Sequence, residues 1–199
     1  MKTILHISSS PHGENSVSKK LGKSIVGQLQ EANDGAVVKH TDLGENPFPH
    51  LDAKLVQAIR TRPEDLTEEQ KLLLHDSDAA IEDIMNADAI VISIPFFNFG
   101  IPSVIKAWLD HVVRAGVTFR YGENGPVGLV TGKKVYLAVA SGGVYSDGPM
   151  QAYDHAVPYL KSVLGFIGIT DVSVVRAEGM GIPSLKDLAL EKALAEFSF

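Results

Sequence analysis

The chain has 199 residues, 45% of them hydrophobic, enough for one domain with one sizeable core and too few for two full domains. Lys and Arg number 18 against 24 Asp and Glu, and the formal charge of −6 argues against affinity built on phosphate neutralisation along DNA or RNA. With no cysteine there is no disulfide, thiolate metal site or cysteine nucleophile, and no apolar run approaches the ~20 residues of a membrane span.

The opening stretch is too short in apolar residues for a secretory signal, so a cytoplasmic location is expected. Thr3-Ile4-Leu5-His6-Ile7 reads as a buried strand that runs into the loop Ser8-Ser9-Ser10-Pro11-His12-Gly13. Val17, Leu21, Ile25 and Leu29 then recur at steps of four, the face of a helix with Asn15 or Ser16 as N-cap. Ala36–His40 follows a turn and reads as a second strand. Between Asp42 and Pro63 the prolines leave room for one short helix, near Asp52–Arg60. Thr67 and Gln70 have capping-box spacing and open a helix that runs to Met85. Ala87–Ile94 is apolar on both faces, as in the middle of a parallel sheet.

Pro102 marks the next helix start, and Val104, Ile105, Trp108, Leu109, Val112 and Val113 keep the helical period to Arg114. A strand at Val135–Ala140, a helix at Ala152–Leu164, a strand at Val172–Val175 and a last helix at Ser184–Glu196 complete the chain. Alternating strands and helices specify an α/β fold with a parallel sheet. Residues 116–132, with five glycines and the aromatics Phe119 and Tyr121, show no period and read as an excursion from the single domain, 1–199.

In such a sheet ligands bind beyond the carboxyl ends of the strands. The first loop sets Ser8, Ser9, Ser10, Ser16 and Ser18 at a helix N-terminus, where unpaired N–H groups and the helix dipole can hold an anion. The same serines could be turn and cap residues only. The loop matches neither Gly-x-x-x-x-Gly-Lys-Ser/Thr nor Gly-x-Gly-x-x-Gly, which leaves a monophosphate such as that of FMN. The second loop, Pro95 to Pro102, carries Phe96, Phe97 and Phe99 around Asn98. Three aromatics can be core, but two prolines, an asparagine and a glycine suit a flat heteroaromatic ring better. The third, Ala140-Ser141-Gly142-Gly143, lets backbone approach a ligand closely. The seven histidines form no His-x-x-x-His pair, and Gly-x-Ser-x-Gly is missing, so neither a zinc site nor a serine hydrolase is expected.

Pro95-Phe96-Phe97-Asn98-Phe99, Ala115-Gly116-Val117-Thr118-Phe119-Arg120-Tyr121, Gly125-Pro126-x-Gly128-Leu129 and Leu164–Asp171 together resemble the bacterial FMN-dependent NADH:azobenzene/quinone reductases. The likeness extends over nearly the whole chain. It implies a flavodoxin-like three-layer α/β sandwich: a five-stranded parallel sheet in the order 2-1-3-4-5, with helices on both faces. It also implies a homodimer with one FMN per subunit near the interface. Under the likeness Ser10, Ser16, Val17 and Ser18 hold the phosphate, Phe96, Phe97, Asn98 and Phe99 the isoalloxazine, and Ala140, Ser141, Gly142 and Gly143 flank the ring. Phe119 and Tyr121 reach toward the partner's flavin. No metal is implied. The chain departs from the family at Phe96-Phe97, where Met-Tyr is common, at Ser141, where arginine is common, and at Val163, where some relatives are bulkier.

The expected chemistry is ping-pong: NADH or NADPH reduces the flavin and leaves, and a quinone or azo acceptor takes its place, with no side-chain nucleophile. The rival reading is a flavodoxin-type electron carrier, or a flavin-binding module without catalysis.

Overall fold

The computed structural model describes residues 1–197. In chain order the elements are β1 (Thr3–Ser8), α1 (Val17–Glu31), β2 (Val37–Asp42), α2 (Ala53–Arg60), α3 (Glu68–Asn86), β3 (Ala89–Pro95) and α4 (Ser103–Val112). They continue with β4 (Phe119–Gly122), β5 (Gly125–Gly128), β6 (Lys134–Ala140), α5 (Ala156–Ile167), β7 (Asp171–Ala177), α6 (Pro183–Lys186) and α7 (Ala189–Ala195). Among the described residues no helix is long and apolar enough to cross a membrane.

Five strands form one parallel sheet in the order β2-β1-β3-β6-β7. Numbered along the chain, this is not the expected 2-1-3-4-5. The excursion contributes two strands of its own, which pair antiparallel as the hairpin β4-β5 and take the fourth and fifth places. Its glycines and lack of period hid them, since a four-residue strand with one buried side chain carries almost no alternation to read.

The sheet is covered on both faces because alternate residues of its strands feed two cores. On one face Leu5, Ile7, Ile90, Ile92 and Leu137 meet α3, α4 and α5 through Ile81, Trp108, Leu109 and Leu160. On the other Ile4, Val91, Tyr136 and Ala138 meet α1 and α7 through Leu21, Ile25, Leu29 and Ala193. Each such aliphatic side chain contributes about 1.5–3 kcal/mol by leaving water. Seating α1 that closely needs Gly22: a Cβ there would lie 1.9 Å from Ser93 Oγ and 2.7 Å from His6 Nε2.

Local chemistry sets the element ends. Ser16, not Asn15, caps α1, its hydroxyl accepting from the Lys19 N–H. The Thr67–Gln70 capping box closes in both directions. The helix expected from Ala152 starts at Ala156 instead, because the Asp154 carboxylate takes the N–H groups of Ala156 and Val157. The last helix is broken at Asp187-Leu188 into α6 and α7, which turns Ala189 and Ala193 inward and leaves Leu188 exposed.

The hairpin belongs to the amino-end side of the sheet. It follows α4, hands the chain to β6 at Lys134, and packs on the end of α5. Thr118 anchors its base, accepting from the Arg114 N–H and donating to the Val112 carbonyl. Arg114 is in turn held by Asp78 and Ser77. Gly128 lies on the backbone of Gly168, where a Cβ would come within 2.2 Å of the Gly168 nitrogen.

Candidate functional site at the carboxyl ends of the strands

Parallel strands put their carboxyl ends, and the loops that follow, on one side of the sheet. After β1, β3 and β6 these loops line a cavity of about 330 Å3. One end is polar. Ser10, Ser16 and Ser18 are buried, and Ser16 Oγ lies 3.0 Å from Ser18 Oγ. A helix start leaves four N–H groups over. Those of Lys19 and Lys20 go to the side chain and carbonyl of Ser16, which leaves those of Val17 and Ser18 without a partner among the described residues. Hydroxyls, free N–H groups and the positive end of a helix dipole together form a donor set for an oxyanion, without a lysine or arginine in the lining.

The other end is mostly apolar. Pro95, Phe96 and Phe97 wall it on one side, and Ala140, Ser141 and Gly142 on the other. The Ser141 hydroxyl donates to the Gly143 carbonyl. Residues 97–100 close a tight turn, with the Phe97 and Gly100 backbones bonded in both directions at 3.1 and 2.9 Å. The turn puts Asn98 at φ +47° and Phe99 at φ +67°. That is the left-handed pair of a type I′ turn, natural for asparagine and strained for phenylalanine. Strain of about 1 kcal/mol or more persists only where the surroundings impose it, and such positions gather at functional sites. Phe97 is 39% and Phe99 42% exposed, so these two are not core, whereas Phe96 packs against the core.

Of the residues singled out in the sequence, the cavity brings together Ser10, Ser16, Val17, Ser18, Phe96, Phe97, Ala140, Ser141 and Gly142. Asn98, Phe99 and Gly143 stand in the same loops but outside its lining. Phe119 is only 7% exposed and packs on Phe166 at 4.5 Å, whereas Tyr121 is 74% exposed on the hairpin. Both belong to the far end of the sheet from this cavity.

Sequence reasoning missed His12, Asn15 and Met180 in the lining, and Tyr145 beside it. Tyr145 packs on Phe96 at 4.3 Å between ring centroids. Its loop is tied to β7 by Glu178, which accepts from the Tyr145 N–H and the Ser146 hydroxyl and pairs with Arg176. Met180 follows β7, and its N–H donates to the Ser141 carbonyl, zipping the last two loops together. The strand-end rule that selected three loops selects this fourth one as well, had it been applied to β7.

Beneath the serines lies a second polar layer. His6 Nε2 is 2.8 Å from Ser93 Oγ, His40 Nε2 is 3.0 Å from Ser8 Oγ, and Ser9 donates to the Ser93 carbonyl. Lys19 and Asp42 form an ion pair in which the Lys19 side chain is 5% exposed. Burial, the His40 ring and Lys23 pull the His6 imidazole down to about 4, so it is neutral near pH 7. Burial pushes the Asp42 carboxyl up, but the Lys19 ammonium, the Gly44 N–H and Ser8 outweigh it and hold the group below its ordinary range.

A family model described as "Flavodoxin-like fold" matches residues 2–198. A Rhizobium johnstonii protein named "FMN-dependent NADH:quinone oxidoreductase" is 46% identical over 194 residues, 97% of this chain and 95% of its own. An azoreductase structure from Bacillus anthracis superposes with a TM-score of 0.89 at 32% identity, over 98% of this chain and 96% of that one. A second B. anthracis structure, an FMN-dependent NADH-azoreductase in complex with FMN, gives 0.85 at 28%, over 98% and 97%. Sequence, fold and the strand-end cavity agree: the chain belongs to the flavodoxin-like fold family and, within it, to the FMN-dependent NADH:quinone oxidoreductases.

Proposed function

We propose that the protein is an FMN-dependent NADH oxidoreductase that reduces quinones and azo compounds. The observation that carries this reading is the cavity itself, which joins a hydroxyl and N–H cradle to a mostly apolar end walled by Pro95, Phe96, Phe97, Ala140 and Gly142. The donor set fits a phosphate monoester, and the slot fits a planar ring. Ser10, Ser16, Val17 and Ser18 bind the phosphate; Phe96 and Phe97 hold the ring on one side and Ala140, Ser141 and Gly142 on the other, with Asn98, Phe99 and Gly143 shaping the same loops from outside the lining. FMN, when bound, supplies the hydride chemistry at its N5.

The residues orient two rings face to face and exclude water from between them, which is the contribution a protein makes to a cofactor-borne reaction. Neither nucleophile nor paired carboxylates are needed. Donor and acceptor use one slot in turn, which makes the kinetics ping-pong, and NADPH competes as donor only where the slot tolerates its extra phosphate. The active unit is a homodimer: the hairpin lies too far from its own cavity to cover it, and Tyr121 is free to reach a neighbouring subunit's.

The test is NADH consumption by the purified, FMN-loaded protein with menadione and with methyl red, read at several fixed acceptor concentrations. Turnover with parallel double-reciprocal lines is expected. An electron carrier would bind FMN and consume no NADH without a separate reductase, and that result overturns the reading.

A further inference from the structure

Three features meet under the serine cradle. The Lys19 ammonium, in the first turn of α1, is paired with Asp42 at the end of β2, and both are largely shut off from solvent. The other Asp42 oxygen accepts from the Gly44 N–H at 2.9 Å. Between these two attachments the Leu43 N–H donates to the Ser8 carbonyl at 2.7 Å, and Gly44 presses on Ser10, where a Cβ would come within 2.6 Å of the Ser10 carbonyl oxygen.

The loop after β2 therefore touches the layer beneath the cradle at Ser8, the cradle at Ser10 and α1 at Lys19. Asp42 is the one side chain that ties both ends of this brace. An isolated buried lysine is costly, and so is an isolated buried aspartate; each here is the other's charged partner. The arrangement also engages the Lys19 ammonium with Asp42, and the lining offers an oxyanion hydroxyls, N–H groups and the side chains of His12 and Asn15, without a lysine or arginine.

We propose that Asp42, through its ion pair with Lys19 and its hold on Gly44, is a positioning residue that keeps the cradle in the geometry of a phosphate monoester. This rests on the reading that the cradle takes the FMN phosphate, and it adds why a loop without a cationic contact selects a phosphorylated flavin. Lys19 serves Asp42 and makes no direct contact with the phosphate. Two discrete attachments fix the spacing between the start of α1 and the β1 loop, and a hydrogen-bond cradle loses affinity steeply once its donors diverge.

The experiment compares FMN with riboflavin, which share the ring and differ in the phosphate. The full-length apoprotein is titrated with each by quenching of flavin fluorescence, for wild type, Asp42→Asn, Lys19→Met/Asp42→Leu and Gly44→Ala, with thermal unfolding recorded in parallel. The double variant replaces the ion pair by apolar bulk and keeps a folded protein even if Asp42→Asn alone does not fold. Each variant is expected to lose about tenfold or more in FMN affinity while riboflavin stays within about threefold.

Equal loss for both flavins reduces Asp42 to a stabiliser of the fold and overturns the proposal. So does a double variant that keeps the wild-type preference, because packing alone would then suffice. Tighter FMN binding by Asp42→Asn overturns it differently, by showing that a released Lys19 turns to the phosphate. If wild type itself does not distinguish FMN from riboflavin, the placement of the phosphate fails before any substitution is made, and the proposal falls with it.

Discussion

His6 shows how one side chain ties the site to stability. Buried beside Ser93 and held near a pKa of about 4, it stays neutral in the folded protein across a window where an unfolded chain's imidazole, with its ordinary value of 6.5, takes up a proton. The unfolded state thus binds more protons between these two values, and stability falls as the pH drops through them. The contribution is complete above about pH 6.5, and about 3 kcal/mol is lost by about pH 4. Urea unfolding at about pH 7 and about pH 4.5 should show this slope in wild type and a shallower one in His6→Gln, which cannot titrate. The histidine was visible in the sequence as one more residue of a strand; what makes it matter is the pairing of β1 with β3, which no local pattern reports. The left-handed Asn98-Phe99 turn was hidden for a related reason, since phenylalanine is a poor signal for positive φ.

At the scale of elements, what could be read was whatever a period or a cap writes into the chain. The face Val17-Leu21-Ile25-Leu29 and the Thr67–Gln70 box stand where their spacing put them, and the doubly apolar strand expected at Ala87–Ile94 is found at Ala89–Pro95. The hairpin could not be read, because its position depends on its contacts with the rest of the fold, among them Thr118 on Arg114, Phe119 on Phe166 and the backbone approach of residues 128 and 168. Gly128→Ala tests that dependence. A methyl group there would strike the Gly168 backbone, and neither side can turn away, so a loss of about 1–3 kcal/mol is expected in chemical denaturation, from overpacking. Gly125→Ala in the same hairpin meets nothing within 4 Å and isolates the cost of backbone conformation, its φ being +109°.

For the whole molecule, the two ends of the sheet carry different duties. The carboxyl ends hold the candidate site, and the amino-end side carries the hairpin with Tyr121 exposed at its surface. If the working unit is a dimer that lends this hairpin across its interface, Tyr121→Ala should leave the unfolding free energy of the chain within about 0.5 kcal/mol, as for a residue exposed on the single chain. It should nevertheless alter the KM for quinone or azo acceptor. Light scattering on the same samples separates a loss of assembly from a loss of contact. The sequence could place the loops at one end because strand direction follows from alternation; it could not place the hairpin at the other, because that is a matter of where α4 and α5 stop.

Gly22 carries a consequence for how this chain can vary. The helix whose first turn carries the serine cradle is pressed so tightly onto Ser93 and His6 that one added methyl would have to lift it or force Ser93 to give up His6. In a saturation scan of α1, most exposed positions would therefore accept many residues, while position 22 would accept none cheaply. Its substitutions would show first as pale, cofactor-poor protein and only later as insolubility, since tilting a helix by its middle displaces its tip before it empties a core.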